Sequence, residues 1–558
     1  MDNNKKILFK VRGMNQYFPV RGKRNMFVKA NDGIDLDIYS GETLGIVGES
    51  GCGKSTFGRV LLQLYKQTKG SILYYGKSLD DIAPDYIKTM ARKLGRHCAE
   101  IAKLAAIYAE KMKEHESDPD DIAKLAACNN AKQQYEAVYL PVVQLMGGLL
   151  NHPDVKAVQE AYYRLNRAAK NRVRILRVIS SIELEIAESE YKLEQFTAAS
   201  DPGGGARDGA GKSPEVRTST ASGSVRLRPH LVVNVSAITG VFVKKDGETH
   251  RKEYLEKLHK AKAKLEEKEK QAAAALKSAH EALDALREKC KDTEGFSEHE
   301  SHRSDGIDLS LLKYNEMRLL RSDAQIIFQD PYSSLNPRMT VGQIIGEGLK
   351  AHKFFKKSGD QRQQDYVIKV MDECGLAPYF LHRYPNQFSG GQRQRIGIAR
   401  ALAVRPKFVV CDEAVSALDV SIQSQIINLL QDLREKQNLS YLFISHDLSV
   451  IKYISDKVAV MYLGNFVELA PSEKLFASPA HPYTAALLDV IPTTDASGVK
   501  KELKILEGDI PSPVNPPSGC KFHTRCRYVT DICKEVVPLW EEVEPEHFVA
   551  CHHKLSSS

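Results

Sequence analysis

Hydrophobic and polar residues alternate along the first eighty residues in the way that is typical of half-buried β-strands. Ile34, Leu36 and Ile38 share one face of such a strand, and the apolar run 44–47 predicts a buried strand. A glycine-rich turn follows, and a helical pattern runs from Ser55 to about Tyr65. A strand, a glycine loop and a helix in this order predict a nucleotide-binding α/β unit.

The composition changes between residues 81 and 308, where Ala, Lys, Glu and Leu predominate. Apolar positions recur there with the spacing of coiled-coil helices. We predict two helices folded against each other as a hairpin or small bundle, joined by a Gly- and Ser-rich linker at 201–224. The helical positions are Ile175, Ile179, Ile182, Ile186, Ser189, Leu193 and Phe196, then Leu258, Leu265, Ala272, Ala279 and Leu286.

Two interpretations of this insertion (residues 81–308) are open. A surface excursion of this length costs the core little, because closure entropy grows slowly with loop length. Alternatively, the insertion is a regulatory or docking arm. The α/β pattern returns at 309–488, with the strand-like runs AQIIF, FVVCDE and YLFISHD, and 489–558 is a small module rich in Pro, Cys and His.

Length and charge narrow the class of protein. A chain of 558 residues is long enough for several domains, and its net charge of +8 is too diffuse to indicate nucleic acid. The apolar stretch 231–243 is too short to cross a membrane, and the first residues lack the apolar core of a signal peptide. We therefore expect a cytosolic chain that reaches a membrane only through partner proteins.

Residues 48–55 match the phosphate-binding pattern G-x-x-x-x-G-K-[ST] between a predicted strand and a predicted helix. The glycines let backbone N–H groups turn toward a phosphate, and the helix N-terminus adds the positive end of its dipole. We predict that Lys54 reaches the β- and γ-phosphates and that Ser55 binds Mg²⁺. The predicted nucleotide-binding residues of this loop are Gly48, Ser50, Gly51, Cys52, Gly53, Lys54, Ser55 and Thr56.

Two adjacent carboxylates end the apolar run FVVCDE. Asp412 suits the holding of Mg²⁺, directly or through water. Glu413 suits the polarisation of an attacking water as a general base. An acidic pair at a strand end is common, so the pair gains weight only beside the phosphate loop.

With four further motifs, these residues resemble the ABC ATPase family. Gln329 in IIFQDP resembles the Q-loop glutamine, His446 in FISHD the switch histidine, and Ser416 to Asp419 the D-loop. The resemblance implies a P-loop ABC ATPase core with a helical subdomain, interrupted here by the helical insertion. It also implies that two subunits clamp ATP head-to-tail. The residues that resemble the ATP-contacting signature are Ser389, Gly390, Gly391 and Gln392.

The same resemblance assigns roles within the site. Phe18 falls where the family places an aromatic ring under adenine, and the neighbouring Tyr17 is a rival. Since no catalytic position is degenerate, we expect ATP hydrolysis. The resemblance gives catalytic roles to Lys54, Glu413 and His446, magnesium contacts to Ser55, Gln329 and Asp412, and an ATP contact to Asp419.

The downstream half looks closely like the ATP-binding subunits of oligopeptide and dipeptide importers. The similarity runs through QDPYSSLNPRMTVGQII, CDEAVSALDVSIQSQIINLL and HPYTAALL. It implies a peripheral subunit at the cytoplasmic face of the cell membrane. The implied partners are two transmembrane permeases, a second ATPase subunit (expected to be a paralogue) and an extracytoplasmic substrate-binding protein, with no nucleic acid. The peptide substrate follows from the resemblance alone.

Four of the ten cysteines lie close together near the end of the chain. In a reducing compartment this clustering indicates a metal site more than disulfides. The family resemblance favours a 4Fe–4S cluster over Zn²⁺, whose usual C-x-x-C pairs are missing. Free thiols or disulfides are the alternative, and His523, His552 and His553 are further candidate ligands. The four cysteines are Cys520, Cys526, Cys533 and Cys551.

Chromosome and DNA-repair ATPases are the main alternative, because they also split an ABC core with a coiled coil. In the chromosome type, however, the coil lies between the Q-loop and the signature, whereas this insertion precedes Gln329. Excision-repair ATPases carry paired C-x-x-C modules, which this sequence lacks. The complete catalytic set disfavours a non-catalytic scaffold. DNA-stimulated ATPase activity would favour the repair alternative.

Overall fold

The computed structural model describes residues 6–23, 26–118, 121–199, 248–355, 361–489 and 508–555. The linker predicted at 201–224 and the apolar stretch 231–243 lie outside these residues. The described strands are β1 (Ile7–Pro19), β2 (Phe27–Tyr39), β3 (Thr43–Val47), β4 (Lys69–Tyr74), β5 (Ile307–Asp308), β6 (Ala324–Ile327), β7 (Phe408–Asp412), β8 (Ser440–Ile444), β9 (Lys457–Tyr462), β10 (Asn465–Pro471), β11 (Glu541–Glu544) and β12 (His547–Val549).

Helices flank these strands and form most of the insertion. Those before the return to the core are α1 (Lys54–Leu61), α2 (Leu79–Ile82), α3 (Asp85–Glu116), α4 (Ile122–Met146), α5 (Val155–Ala199), α6 (Glu248–Cys290) and α7 (Phe296–Ser301). Those after it are α8 (Tyr314–Leu320), α9 (Pro331–Ser334), α10 (Val341–Ala351), α11 (Gln361–Glu373), α12 (Gly390–Leu402), α13 (Val420–Gln437), α14 (Leu448–Ile454), α15 (Ser472–Ala477), α16 (Pro482–Asp489) and α17 (Asp531–Glu535).

The larger sheet has the strand order β11-β12-β10-β9-β3-β8-β7-β6. Its centre is parallel, because β3 pairs in parallel with β8 and β9, and β7 pairs in parallel with β6 and β8. β3, β7 and β8 are buried along their whole length, as expected for strands covered on both faces. The carboxyl ends of these strands therefore meet at one edge, where α/β proteins bind ligands.

The smaller sheet is antiparallel, with the order β2-β1-β4-β5. Val11 and Met14 of β1 and Ile38 of β2 are fully buried, and they belong to one apolar cluster with Phe57 of α1. This cluster extends into the larger sheet at Ile46. The smaller sheet thus packs against the helix that follows the glycine loop and supports it from one side.

The two ends of the insertion are joined by hydrogen bonds of the smaller sheet. β4 pairs with β5 at Leu73↔Asp308 and Tyr74↔Ile307. The chain therefore leaves the core and returns to it at adjacent strands. This pairing explains why more than two hundred intervening residues leave the core sheets continuous, because the closure distance does not depend on what the loop contains.

The described part of the insertion contains four long helices, α3 to α6, rather than the two predicted. The predicted pair corresponds to α5 and α6, which pack side by side through Val178, Ile182 and Ile186 of α5 and Tyr254 and Leu258 of α6. α3 and the first half of α5 share a second apolar cluster nearer the core. None of the helices described is both long and apolar enough to span a membrane.

Helices α10, α11 and α12 pack on one another in a helical layer, and α12 contacts the edge strand β6 of the larger sheet. Ile345 of α10, Met371 of α11 and Ile396 of α12 are fully buried in one cluster with strand residues such as Val409. Ser389 caps the N-terminus of α12, and it forms a reciprocal capping box with Gln392. The predicted signature residues therefore lie at a well-defined helix start.

Candidate nucleotide site

The glycine loop connects β3 to α1, as the sequence predicts. Gly53 caps α1 with φ 107°, a left-handed conformation in which a side chain would be strained. A Cβ atom at Gly53 would lie 2.1 Å from the carbonyl oxygen of Ala30. Ser50 and Gly51 are exposed at the outer part of the loop, while Gly48 and Cys52 are buried. The loop thus presents backbone and small side chains at the start of a helix, which suits a phosphate.

Lys54 is buried and its ammonium group lies inside the loop. Its Nζ donates hydrogen bonds to the carbonyl oxygens of Gly48 at 2.7 Å and Glu49 at 3.0 Å. Burial raises the pKa of the neighbouring Cys52 thiol, although the charge of Lys54 opposes this shift. Thr56 is half-buried in the first turn of α1. A cation held inside a loop of backbone N–H groups can neutralise phosphate charge.

Ser55 and Asp412 meet across the site. The Ser55 hydroxyl donates to Asp412 Oδ1 at 2.5 Å, although the two residues are 357 positions apart. The other carboxylate oxygen lies 3.3 Å from Nη2 of Arg59, a residue that the sequence reasoning missed. Arg59 is one helical turn beyond Ser55, so its spacing alone could have placed it on the same face of α1.

The Ser55–Asp412 pair fits the predicted magnesium contact. Mg²⁺ prefers hard oxygen ligands and is commonly held by one carboxylate together with a hydroxyl, water and substrate phosphates. A hydroxyl and a buried carboxylate at hydrogen-bond distance provide two such oxygens. Mg²⁺ held by these oxygens would supply positive charge that offsets the negative charge of the phosphates. Gln329, the third predicted contact, instead hydrogen-bonds Glu413.

Three side chains of the predicted site converge just beyond β7: Gln329, a predicted magnesium contact, and Glu413 and His446, which were predicted to be catalytic. Gln329 Nε2 donates to Glu413 Oε2 at 2.7 Å, and His446 Nδ1 lies 3.6 Å from the same oxygen. They come from the ends of β6, β7 and β8, which are neighbours in the sheet. Glu413 adopts a left-handed backbone (φ 49°), which turns its side chain off the end of the strand. A carboxylate flanked by an amide and an imidazole can orient a water and accept its proton.

The predicted signature and D-loop residues form a second group. Gly391 packs so closely on α13 that an added Cβ would lie 2.4 Å from Ile422 Cγ2, and Gly390 faces Leu418. Asp419 caps α13, and backbone hydrogen bonding lowers the pKa of its carboxyl. The hydrogen bonds of Ser389 and Gln392 are made within their own helix cap. The starts of α12 and α13 therefore pack against each other at Gly391 and Ile422.

The two aromatic candidates for the adenine contact differ in their attachment. Tyr17 donates its hydroxyl hydrogen bond to the carboxylate of Asp32, and burial together with this bond raises the pKa of its phenol. Phe18 meets Tyr65 edge-on, with ring centroids 5.3 Å apart. Because the Tyr17 hydroxyl is hydrogen-bonded to Asp32, Phe18 remains the residue that we predict to stack on adenine.

Comparison with known proteins agrees with this geometry. The family model described as "ABC transporter" matches residues 31–182 and 282–416, slightly more than half of the chain. The chain belongs to the ABC transporter family. ATP hydrolysis is the chemistry of the family's ATP-binding subunits, and this chain is an ABC-type ATPase. A second model, described as "Oligopeptide/dipeptide transporter, C-terminal region", matches residues 467–533.

Several curated proteins are similar to this ABC ATPase. The oligopeptide transport ATP-binding protein AppF of Bacillus subtilis is 51% identical over 249 residues, which are 44% of this chain and 75% of that protein. OppF of Salmonella typhimurium, of the same description, is 51% identical over 247 residues, 44% of this chain and 73% of that protein. A solved dimeric bacterial ABC transporter cassette overlaps with a TM-score of 0.39 at 14% identity, covering 83% of this chain and 99% of that one.

Residues far along the chain of this ABC ATPase, in α16 and in 508–555, supply contacts to the glycine loop that the sequence reasoning missed. Arg525 forms a bidentate ion pair with Glu49, at 2.8 and 3.0 Å. Tyr483, in the motif HPYTAALL, accepts a hydrogen bond from the Glu49 N–H at 3.0 Å. No local pattern signals these contacts, because they join residues more than four hundred positions apart.

The four C-terminal cysteines lie near one another, and all are free thiols. The N–H of Cys520 donates to the carbonyl of Cys533 at 2.8 Å. Burial, with smaller contributions from the other three thiols, raises the pKa of Cys551 to about 12. Within the described residues, however, no three His, Cys, Asp or Glu side chains form a group that could hold a metal ion. The structure therefore does not show the tetrahedral ligand set that Zn²⁺ requires.

Proposed function

We propose that this chain is the ATP-hydrolysing subunit that energises a membrane importer of oligopeptides or dipeptides. The observation that carries the ATPase part is the convergence of Gln329, Glu413 and His446 beside the Ser55–Asp412 pair. The peptide part is supported by relatives whose names describe oligopeptide transport. Lys54 and the glycine loop would bind the phosphates, Mg²⁺ would be held by Ser55 and Asp412, and Glu413 would be the general base.

The signature and D-loop group supports a dimeric mechanism. The hydrogen bonds of Ser389, Gln392 and Asp419 are made within their own helix caps, so a second subunit could bring its nucleotide to them. ATP would then favour the closed dimer, since only that state offers it both sets of contacts. The second subunit is expected to be a paralogue. Two permeases would anchor the pair at the cytoplasmic face of the membrane, and an extracytoplasmic binding protein would deliver the peptide.

The proposal also assigns domain boundaries to the chain. Residues 1–80 and 309–488 would form the nucleotide-binding domain, 81–308 the helical insertion and 489–558 the C-terminal module. Within the described part of the insertion, the Tyr191 hydroxyl donates to Asp365 of α11 at 3.2 Å. Because α5 thereby touches the helical layer that carries the signature, we favour a regulatory or docking arm over a passive excursion.

The C-terminal thiols would hold an iron–sulfur cluster rather than zinc. A multi-iron cluster spans its ligands more widely than one ion does, so neighbouring thiols that form no single-ion site are compatible with it. Anaerobically purified protein should contain iron and acid-labile sulfide, and Cys533→Ser should lower both. Protein with neither, when purified anaerobically, would contradict this assignment.

The function is tested by isolating the chain from membranes with its partners and reconstituting the assembly in liposomes. We expect two hydrophobic permeases to co-purify and a labelled oligopeptide to enter only with Mg²⁺ and ATP. Lys54→Ala should abolish both uptake and hydrolysis. Hydrolysis that is stimulated by DNA, in a preparation without permeases, would instead support the repair alternative.

The arm is tested by deletion. Because Tyr74 pairs with Ile307, residues 84–305 can be replaced by a short Gly–Ser linker without stretching the smaller sheet. We expect the shortened protein to fold but to assemble or hydrolyse ATP abnormally. If assembly, hydrolysis and uptake were all unchanged, the insertion would be a passive excursion.

A further inference from the structure

The C-terminal segment (residues 508–555) contacts the glycine loop through an arginine side chain that is almost fully buried. Arg525 Nη1 donates to Glu49 Oε2 at 2.8 Å, and Nη2 donates to Oε1 at 3.0 Å. The Arg525 side chain is 5% exposed and that of Glu49 is 22% exposed. The guanidinium also lies 6.0 Å from the ring of Tyr462. A planar, bidentate pair in such surroundings fixes the orientation of both partners.

Glu49 is held at every polar group that it has. Its N–H donates to the Tyr483 hydroxyl at 3.0 Å, its carbonyl oxygen accepts from Lys54 Nζ at 3.0 Å, and its carboxylate pairs with Arg525. Glu49 is the second residue of the glycine loop, directly after Gly48. Fixing Glu49 therefore fixes the path by which the loop leaves β3 and begins to turn around a phosphate.

A second cation of the same segment holds the turn between β9 and β10, and this turn contacts the loop at Cys52. Lys521 Nζ donates to the carbonyl oxygen of Leu463 at 3.1 Å and pairs with Asp32 at 3.0 Å. The next residue, Gly464, donates its N–H to the carbonyl oxygen of Cys52 in the loop at 2.8 Å. Residues 521 and 525 thus brace the loop at two places, directly at Glu49 and indirectly at Cys52.

We propose that Arg525 is a positioning residue for the glycine loop and that, through Glu49, the C-terminal segment sets the affinity of the site for ATP. The inference rests on the proposed function, because it assumes that this loop binds ATP. A loop that is held in its binding conformation loses less conformational entropy when the ligand arrives. Since Arg525 acts through the loop and Glu413 is bound by other residues, binding should change more than turnover at saturating ATP.

The test is titration of the full-length chain with a fluorescent ATP analogue and Mg²⁺. Arg525→Gln and Glu49→Gln should each weaken binding about tenfold, or ~1.4 kcal/mol. The double variant should be no weaker than the weaker single variant, because both changes remove one interaction. Arg525→Lys keeps the positive charge but loses the bidentate guanidinium, so its ATP affinity should lie between those of the wild type and Arg525→Gln. In the assembled transporter, the KM for ATP should rise by a similar factor while kcat stays within about twofold.

Lys534→Gln is the matched control, because Lys534 belongs to the same segment but pairs with Asp531 at the surface and is 56% exposed. It should bind as the wild type does. Melting without nucleotide separates the alternatives: a merely structural role lowers the melting temperature and leaves the affinity of the folded protein unchanged. Should Arg525→Gln not fold, Glu49→Gln tests the same pair from the core side.

Wild-type affinity in both Arg525→Gln and Glu49→Gln would overturn the inference. Lys54→Ala distinguishes this failure from that of the proposed function. If Lys54→Ala loses ATP binding while the other two variants keep it, only the role of Arg525 is rejected. If Lys54→Ala also binds ATP normally, the nucleotide site itself is wrong.

Discussion

Replacing Glu413 with Gln tests the proposed general base with little change in the shape of the site. Glu413 Oε2 accepts a hydrogen bond from Gln329 Nε2 at 2.7 Å, and an amide oxygen at the same place can accept it too. The folded state would lose the ionic strengthening of this bond, about 1 kcal/mol. Folding and ATP binding should therefore be close to those of the wild type, with ATP affinity within about threefold.

Hydrolysis should respond much more strongly. A general base contributes roughly 10²- to 10⁴-fold to a rate, which corresponds to about 3–5 kcal/mol of barrier height. His446, 3.6 Å from the same oxygen, keeps its position but loses the carboxylate beside it. Because binding is retained and turnover is not, closed dimers with bound ATP should accumulate.

The assay is phosphate release by the assembled transporter at saturating Mg²⁺ and ATP, with gel filtration to detect nucleotide-bound dimers. Glu435→Gln is the matched control, because Glu435 is exposed on α13. This variant should hydrolyse ATP at the wild-type rate. Turnover of Glu413→Gln within about threefold of the wild type would refute the assignment of the base.

Three further predictions concern the glycine loop, the helical insertion and the buried His481. Gly53→Ala places a Cβ 2.1 Å from the Ala30 carbonyl oxygen and should weaken ATP binding, measured by titration, more than tenfold. Gly397→Ala is the control and should be neutral, because its added Cβ has no atom within 4 Å apart from its chain neighbours and the backbone of its own helix. Equal effects of the two substitutions would contradict this. Ile182→Ala empties a fully buried position between α5 and α6 and should destabilise their packing by about 2–5 kcal/mol, seen as faster hydrogen exchange there; unchanged protection would count against the packing. Burial lowers the pKa of His481 from 6.5 to about 4, so the unfolded chain takes up the proton first as the pH falls. The contribution of His481 to stability is complete above pH 6.5 and declines by at most ~1.4 kcal/mol per pH unit between pH 6.5 and pH 4. The free energy of unfolding of His481→Gln, measured with urea, should therefore change less steeply with pH in that window than that of the wild type. An identical pH dependence would refute this.

The nucleotide chemistry could be predicted because each of its motifs is local. A glycine loop works through the backbone of consecutive residues, so residues 48–55 are sufficient to predict it. The family resemblance, which depends on several such motifs in one order, is confirmed by the comparisons. The helical character of the insertion was also predictable, because apolar periodicity is a local signal.

Other features were not predicted from the sequence. The insertion contains four long helices in its described part, and the sequence analysis identified only α5 and α6, although Ile87, Leu94 and Ile101 of α3 show the same seven-residue spacing. The pairing of Tyr74 with Ile307, which closes the insertion at its base, joins strands too distant in sequence for a turn signal. The thiol cluster was predicted as a group, but its spacing does not define a site for one metal ion.

The sequence by itself determined the chemical groups of this protein and their order along the chain: a phosphate loop, a carboxylate pair, a capped signature helix and a set of cysteines. Only the tertiary structure decided which groups meet. Gln329, Glu413 and His446 converge because β6, β7 and β8 are adjacent parallel strands, and strand order is settled by packing rather than by sequence distance. Arg525 reaches Glu49 for the same reason, since a buried ion pair depends on the three-dimensional path of the whole chain.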